Sequence, residues 1–183
     1  MSISEEVPWA AVHRALGLSV PPIDDTPVGV FVERYAQTMP DKPALRFFGK
    51  NINYSELNAL ANRMANALVA LGVSREDVIG INLSNIPQYF VVLIAISKLG
   101  CAGSGISPLL APPEVAAQIE TAGITVLITL EELIDKSLAV LKALPSCLKT
   151  VLVTSTHDQL TPPALGKCPP VNLEKLSPAV ITS

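Results

Sequence analysis

The residue types that do chemistry are few in this chain and lie far apart. Gly103-Ser104-Gly105 has the opening of the glycine fingerprint that admits a dinucleotide pyrophosphate, because glycine lets the backbone come close to phosphate. Pro108 stands where the third glycine belongs and no helix opens directly on the run, so these residues read as a flexible strand end. Gly49-Lys50 and Gly166-Lys167 lack the spaced upstream glycine and the following hydroxyl of a phosphate loop, and both read as turns. His13 and His157 are the only histidines, one near each end. A metal site gathers three or four donors, and an activated nucleophile needs a base beside it. Neither is in prospect here. Glu131-Glu132 reads as a helix start, where carboxylates complement the dipole, and not as a paired acid and base.

Composition narrows the class. The chain has 183 residues, 49% of them apolar and 16% charged. The charged share is well below the usual quarter, and mean hydropathy is +0.43. Such a chain fills a large core and leaves apolar surface for another subunit, a membrane or a further part of the same protein. We expect self-association through that surface. Net charge is −3 with a pI near 5.4, and no Lys/Arg stripe offers an electrostatic footprint for nucleic acid. Val78 to Ser97 carries no charge, yet Asn82, Asn85, Pro87 and Gln88 break it, so it does not read as a membrane span. Cys101, Cys147 and Cys168 are odd in number and widely spaced, which fits reduced thiols. The expected location is cytoplasmic, at most peripheral to a membrane.

The elements that must position any site are clearer. Residues 1–26 form a leader with a short helical piece, Ala10 to Leu16. Residues 27–154 form an α/β unit, and 155–183 an irregular proline-rich tail. Thr26-Pro27 reads as a helix start, with Thr26 as cap. Ala44 to Phe48 and Ile52 to Tyr54 read as a β-hairpin around Gly49-Lys50-Asn51. Ser55 is placed to cap a helix with Leu57, Leu60, Ala61, Met64, Leu68 and Leu71 along one face, ended by Gly72. Val78 to Leu83 has the near-continuous apolar character of a strand covered on both faces. Asn85 is placed to cap the helix Ile86 to Leu99. Cys101 to Ile106 is a strand and Pro112 to Ala122 a helix. Thr125 to Thr129 is a strand, Glu131 to Ala143 a helix, and Thr150 to Thr154 a strand. This alternation predicts a mainly parallel sheet with helices on both faces and right-handed crossovers, beside a small hairpin.

The order of short motifs resembles the N-terminal part of an adenylate-forming acyl-CoA synthetase, a long-chain fatty-acid–CoA ligase of the AMP-binding superfamily. The matching pieces are Pro40-Asp41-Lys42-Pro43-Ala44-Leu45, Tyr54-Ser55-Glu56-Leu57 and Asn62-Arg63-Met64-Ala65-Asn66-Ala67-Leu68. They continue through Leu71-Gly72-Val73, Asp77-Val78-Ile79-Gly80-Ile81, Asn85-Ile86-Pro87-Gln88-Tyr89 and Lys98-Leu99-Gly100. Ser107-Pro108-Leu109 and Pro113-Glu114-Val115 match more loosely.

The resemblance implies a two-step ligase: a fatty acid or other carboxylate is adenylated by ATP with Mg²⁺, and CoA then displaces AMP. It implies also that the phosphate loop, the magnesium and adenine motif and the catalytic lysine belong to downstream subdomains not represented in this sequence. This stretch alone is therefore expected to be inactive, with no catalytic or metal-binding residue and no bound cofactor. Ser104, Ser107, Pro108 and Leu109 are the candidates for a loop facing substrate or CoA. Three other readings stay open. One is a naturally short, non-catalytic homologue that binds an acyl chain or a partner protein. The second is an enzyme adenylating another carboxylate or feeding a carrier protein. The third is a separate flavodoxin-like ligand-binding domain.

Overall fold

The computed structural model describes residues 9–18, 24–133, 147–156 and 171–172. Strands β3 (Val78–Asn82), β4 (Ala102–Gly105), β5 (Ile124–Leu130), β6 (Thr150–Thr154) and β7 (Val171–Asn172) form one sheet in the order β4-β3-β5-β6-β7. The first four are parallel, as the alternating pattern requires. β7 pairs antiparallel with β6, which corrects the irregular reading of the tail at these two residues. A separate hairpin joins β1 (Pro43–Phe47) to β2 (Lys50–Asn53). Its turn falls at Phe48-Gly49, earlier than Gly49-Lys50-Asn51. Both residues have positive φ, the geometry of the tight turn whose twist matches a hairpin.

Two apolar layers sandwich the sheet. Helices α3 (Tyr54–Ala70) and α4 (Pro87–Leu99) cover one face. There Leu68, Val92 and Ile96 meet Ile79 and Ile81 of β3 and Val126, Ile128 and Leu130 of β5. On the other face α5 (Pro112–Ala122) brings Val115 and Ile119 against Ile106, Ile124, Leu127 and Val151. Alternation along a strand would place Ile124 with Val126, yet it shares the face of Leu127. The β3–β5 register slips between Val78 and Ile79, leaving Thr125 as an extra residue. A bulge of this kind turns the flanking side chain to the opposite face.

The helix ends show where local chemistry acts and where packing takes over. Asn53, not Ser55, caps α3. Its Oδ1 accepts from Glu56 N–H at 2.8 Å, and Glu56 Oε2 accepts from Asn53 N–H at 2.9 Å. This reciprocal box satisfies two orphan donors. α4 begins after Ile86, with Pro87 in its first turn and no side-chain cap from Asn85. Gly100, at φ 72°, ends it in the left-handed conformation that glycine adopts without strain.

The short helix expected near the start is present as α1 (Ala10–Ala15), and helix α2 (Val28–Thr38) follows Pro27 and is not capped by Thr26. Its Gly29 N–H donates instead to Ser97 Oγ of α4 at 3.0 Å. A Cβ on Gly29 would lie 2.8 Å from Lys98 Cγ, so the glycine is what allows the two helices to come this close. Ser97→Ala removes the acceptor of this first-turn N–H, and we expect a loss of about 1 kcal/mol in chemical denaturation. Unchanged stability would mean that water replaces the hydroxyl at no cost.

At the amino end of the sheet Asp77 is buried. Its Oδ2 accepts from Ser74 N–H at 2.8 Å and from Ser74 Oγ at 3.0 Å, and its Oδ1 meets Lys149 Nζ at 3.3 Å. Burial pushes this carboxyl up. Hydrogen bonds from the Ser74 backbone, the Thr125 and Ser74 hydroxyls and Lys149 outweigh that and bring it from 3.8 to about 2. A carboxylate depressed in the folded state stabilises above its unfolded pKa and loses that contribution as pH falls through the folded one. We expect up to ~2 kcal/mol of stability to disappear between about pH 4 and pH 2. Asp77→Asn should flatten that limb of a pH–denaturation profile. An equally steep limb in the variant assigns the acid sensitivity elsewhere.

The helix predicted over Glu131 to Ala143 starts as a 3₁₀ turn at Glu131–Leu133, and its remainder lies outside the described residues. His157, Gly166-Lys167 and Cys168 also lie outside them.

Candidate functional site

β3 leads into α4 on one face of the sheet, whereas its neighbour β4 leads into α5 on the other. In the order β4-β3-β5-β6 the direction of the connections reverses between β3 and β5, and parallel sheets take ligands beyond the carboxyl ends of their strands at such a point. Ile106 N–H donates to Ile81 C=O at 2.9 Å and ties the start of the loop after β4 to the end of β3.

The sequence candidates stand at the carboxyl end of β4 and on the loop that follows it. Ser104 ends β4 together with Gly105. Gln118 of α5 holds both, its Nε2 donating to Gly105 C=O at 2.9 Å and reaching Ser104 Oγ at 3.5 Å. Ser107 then starts a turn, its C=O accepting from Leu110 N–H and its Oγ from Leu109 N–H. Pro108 sits inside this turn, and Leu109 is 92% exposed at its tip. Ser107, Pro108 and Leu109 are thus consecutive on one loop, and Ser104 stands in the end of β4 that leads into it. Ser104 is tied to α5, and Leu109 is free of the core.

Four further polar residues stand at the carboxyl ends, and the sequence reading does not single them out as a site. Asn82 ends β3 and is buried, its Nδ2 pointing at Thr129 Oγ1 on β5 at 3.4 Å. Gln88, in the first turn of α4, is 1% exposed. Its Nε2 donates to Ser155 C=O at 2.8 Å and approaches Thr154 Oγ1 at 3.4 Å. Asn82 Oδ1 and Gln88 Oε1 have no hydrogen-bond partner among the described residues. The sequence does carry a signal: Asn82 and Gln88 are polar interruptions of the uncharged run from Val78 to Ser97. A polar residue inside such a run marks a break in a membrane span and equally a group held at a sheet edge.

None of these edge residues is ionisable. Among the described residues no three His, Cys, Asp or Glu side chains gather to hold a metal ion. The arrangement offers neutral amides and hydroxyls, which orient a ligand but do not balance a multiply charged one.

A parallel sheet covered by helices on both faces, with a small antiparallel hairpin beside it, defines an α/β protein. The AMP-binding enzyme family matches residues 32–181. The long-chain-fatty-acid–CoA ligase of Bacillus subtilis (strain 168) is 30% identical over 125 residues, 68% of this chain and 22% of that protein. Bacitracin synthase 2 of Bacillus licheniformis is 33% identical over 111 residues, 59% of this chain and 4% of that protein. The crystal structure of the anthranilate CoA ligase AuaEII in complex with anthranoyl-AMP superposes with a TM-score of 0.67 at 26% identity, over 73% of this chain and 26% of that one. The chain belongs to the AMP-binding enzyme family, the adenylate-forming ligases, and spans about a quarter of that CoA ligase structure.

Members of this family use ATP and Mg²⁺. The edge residues described above do not fit either group by themselves, since they supply neither cations for a triphosphate nor the anionic oxygens that magnesium takes.

Proposed function

We propose that this chain is the N-terminal scaffold of an acyl-CoA ligase. The whole enzyme joins a fatty acid or a related carboxylate to CoA through an acyl-adenylate, with release of AMP and pyrophosphate. The observation that carries this reading is the likeness to the B. subtilis fatty-acid–CoA ligase across 68% of the chain. The crystal structure of the N-terminal domain of FACL13 from Mycobacterium tuberculosis adds support, with a TM-score of 0.63 at 25% identity over 70% of the chain. In this reading Ser104, Ser107, Pro108 and Leu109 form a wall toward the acyl or CoA side, and ATP, Mg²⁺ and CoA are held by later subdomains. Cys101 and Cys147 are free thiols, which supports a cytoplasmic enzyme.

A second reading has the same first half-reaction with an amino acid as substrate and a carrier protein as acceptor. The plipastatin, linear gramicidin and bacitracin synthases among the relatives favour it. Pyrophosphate exchange by the full reading frame, run with palmitate, p-coumarate and an amino-acid panel, separates the two. The expected result is exchange with a carboxylic acid and accumulation of its CoA thioester. Exchange confined to amino acids, with no thioester of free CoA, overturns the first reading.

A further inference from the structure

Packing does not explain one buried side chain at the carboxyl edge. The other buried side chains of α4 beyond Pro87 are Val91, Val92, Ile94, Ala95 and Ile96. An amide among them is a cost unless its hydrogen bonds are made. Gln88 makes its bonds at long range. Its Nε2 reaches the last residue of β6, Thr154, and the backbone C=O of the next, Ser155, across 66 and 67 positions of sequence. Only the NH₂ end can donate to a carbonyl, so Ser155 fixes which way the amide points. The first turn of a well-packed helix is thereby tied to the place where the chain leaves the fourth parallel strand. Buried polar groups of this kind select one geometry over near alternatives.

We propose that Gln88 is a positioning residue of the ligase: it sets the direction in which the chain leaves β6 at Thr154 and Ser155, at the same carboxyl edge as Asn82 and Thr129. The kinetic part rests on the adenylate-forming reading, and the structural part stands without it. Methionine at this position keeps most of the volume and removes both donors.

Hydrogen exchange on the 183-residue chain tests the structural part. In Gln88→Met the amides of residues 153–156 should exchange about tenfold faster while those of β3 and the centre of β5 keep their protection, as local opening predicts. Pyrophosphate exchange by the full reading frame tests the kinetic part. Gln88→Met should lower kcat about 10- to 100-fold, the scale of a misplaced reacting group, with the KM for the carboxylate within about twofold of wild type. Val92→Ala loosens the same helix without touching these bonds and should lower the melting temperature but not kcat. Unaltered amide exchange in Gln88→Met overturns the proposal. Faster exchange with an unchanged kcat overturns the positioning role and leaves a structural clamp. A wild-type frame that supports no carboxylate adenylation overturns the ligase reading and the kinetic role with it, while the amide exchange still decides the clamp.

Discussion

We expect the 183-residue chain alone to give no carboxylate-dependent exchange of pyrophosphate into ATP above a protein-free control. The reason lies in charge. Adenylation moves a polyanionic leaving group, and family members do this with ATP and Mg²⁺. The described carboxyl edge offers Asn82, Gln88, Ser104, Ser107, Thr129 and Thr154, all neutral. Loss of one preorganised donor typically costs roughly 10²–10³ in rate, and here a whole set of cationic partners is missing from that edge. The measurement is isotope exchange with palmitate, p-coumarate and amino acids at saturating ATP and Mg²⁺. A carboxylate-dependent signal that survives repurification would sink the prediction and place catalytic groups within this chain.

Leu68→Ala should remove about 2–5 kcal/mol of folding stability. Leu68 is fully buried and meets Ile79, Ile81, Val92 and Ile96 where α3, α4 and the sheet converge. Three elements fixed by other contacts surround the site, so it cannot collapse to fill the gap. The expected cost is therefore in the upper half of that range. Urea unfolding with an unchanged m-value is the check. A loss below about 1 kcal/mol would mean that the layer repacks, contrary to the convergence described. Leu57→Ala, in the smaller cluster of Val32, Ala61, Val91 and Ile94, leaves this layer intact and serves as a comparison.

These outcomes depend on features that differ in how legible they are in the chain. The α3 face is readable from spacing alone, because Leu57, Ala61 and Leu68 recur at helical intervals and all three are buried. The parallel strands β3, β5 and β6 are readable from apolar runs flanked by turn residues. Caps are less so. Thr26, Ser55 and Asn85 all have suitable side chains, yet Asn53 caps α3, Ile86 precedes α4, and Ser97 of another helix serves α2. A cap depends on backbone angles and on neighbours that a linear reading does not see. β7 is two residues long and exists only because β6 offers an edge. The candidate loop Ser104 to Leu110 is legible from its glycine, serine and proline content. The Gln88–Ser155 bond is not, since no local pattern links residues 67 apart.

The order in which the sheet is laid down bears on how a long relative of this chain is made. β3 and β4 pair across one helical crossover, β5 then joins the free side of β3, and β6 joins β5. Each parallel strand meets a partner that has already left the ribosome, at a synthesis pace of about 5–20 residues per second. The parallel core can therefore close as a nascent unit while later subdomains are still being translated, and its apolar layers spend little time open to chaperones or to other nascent chains.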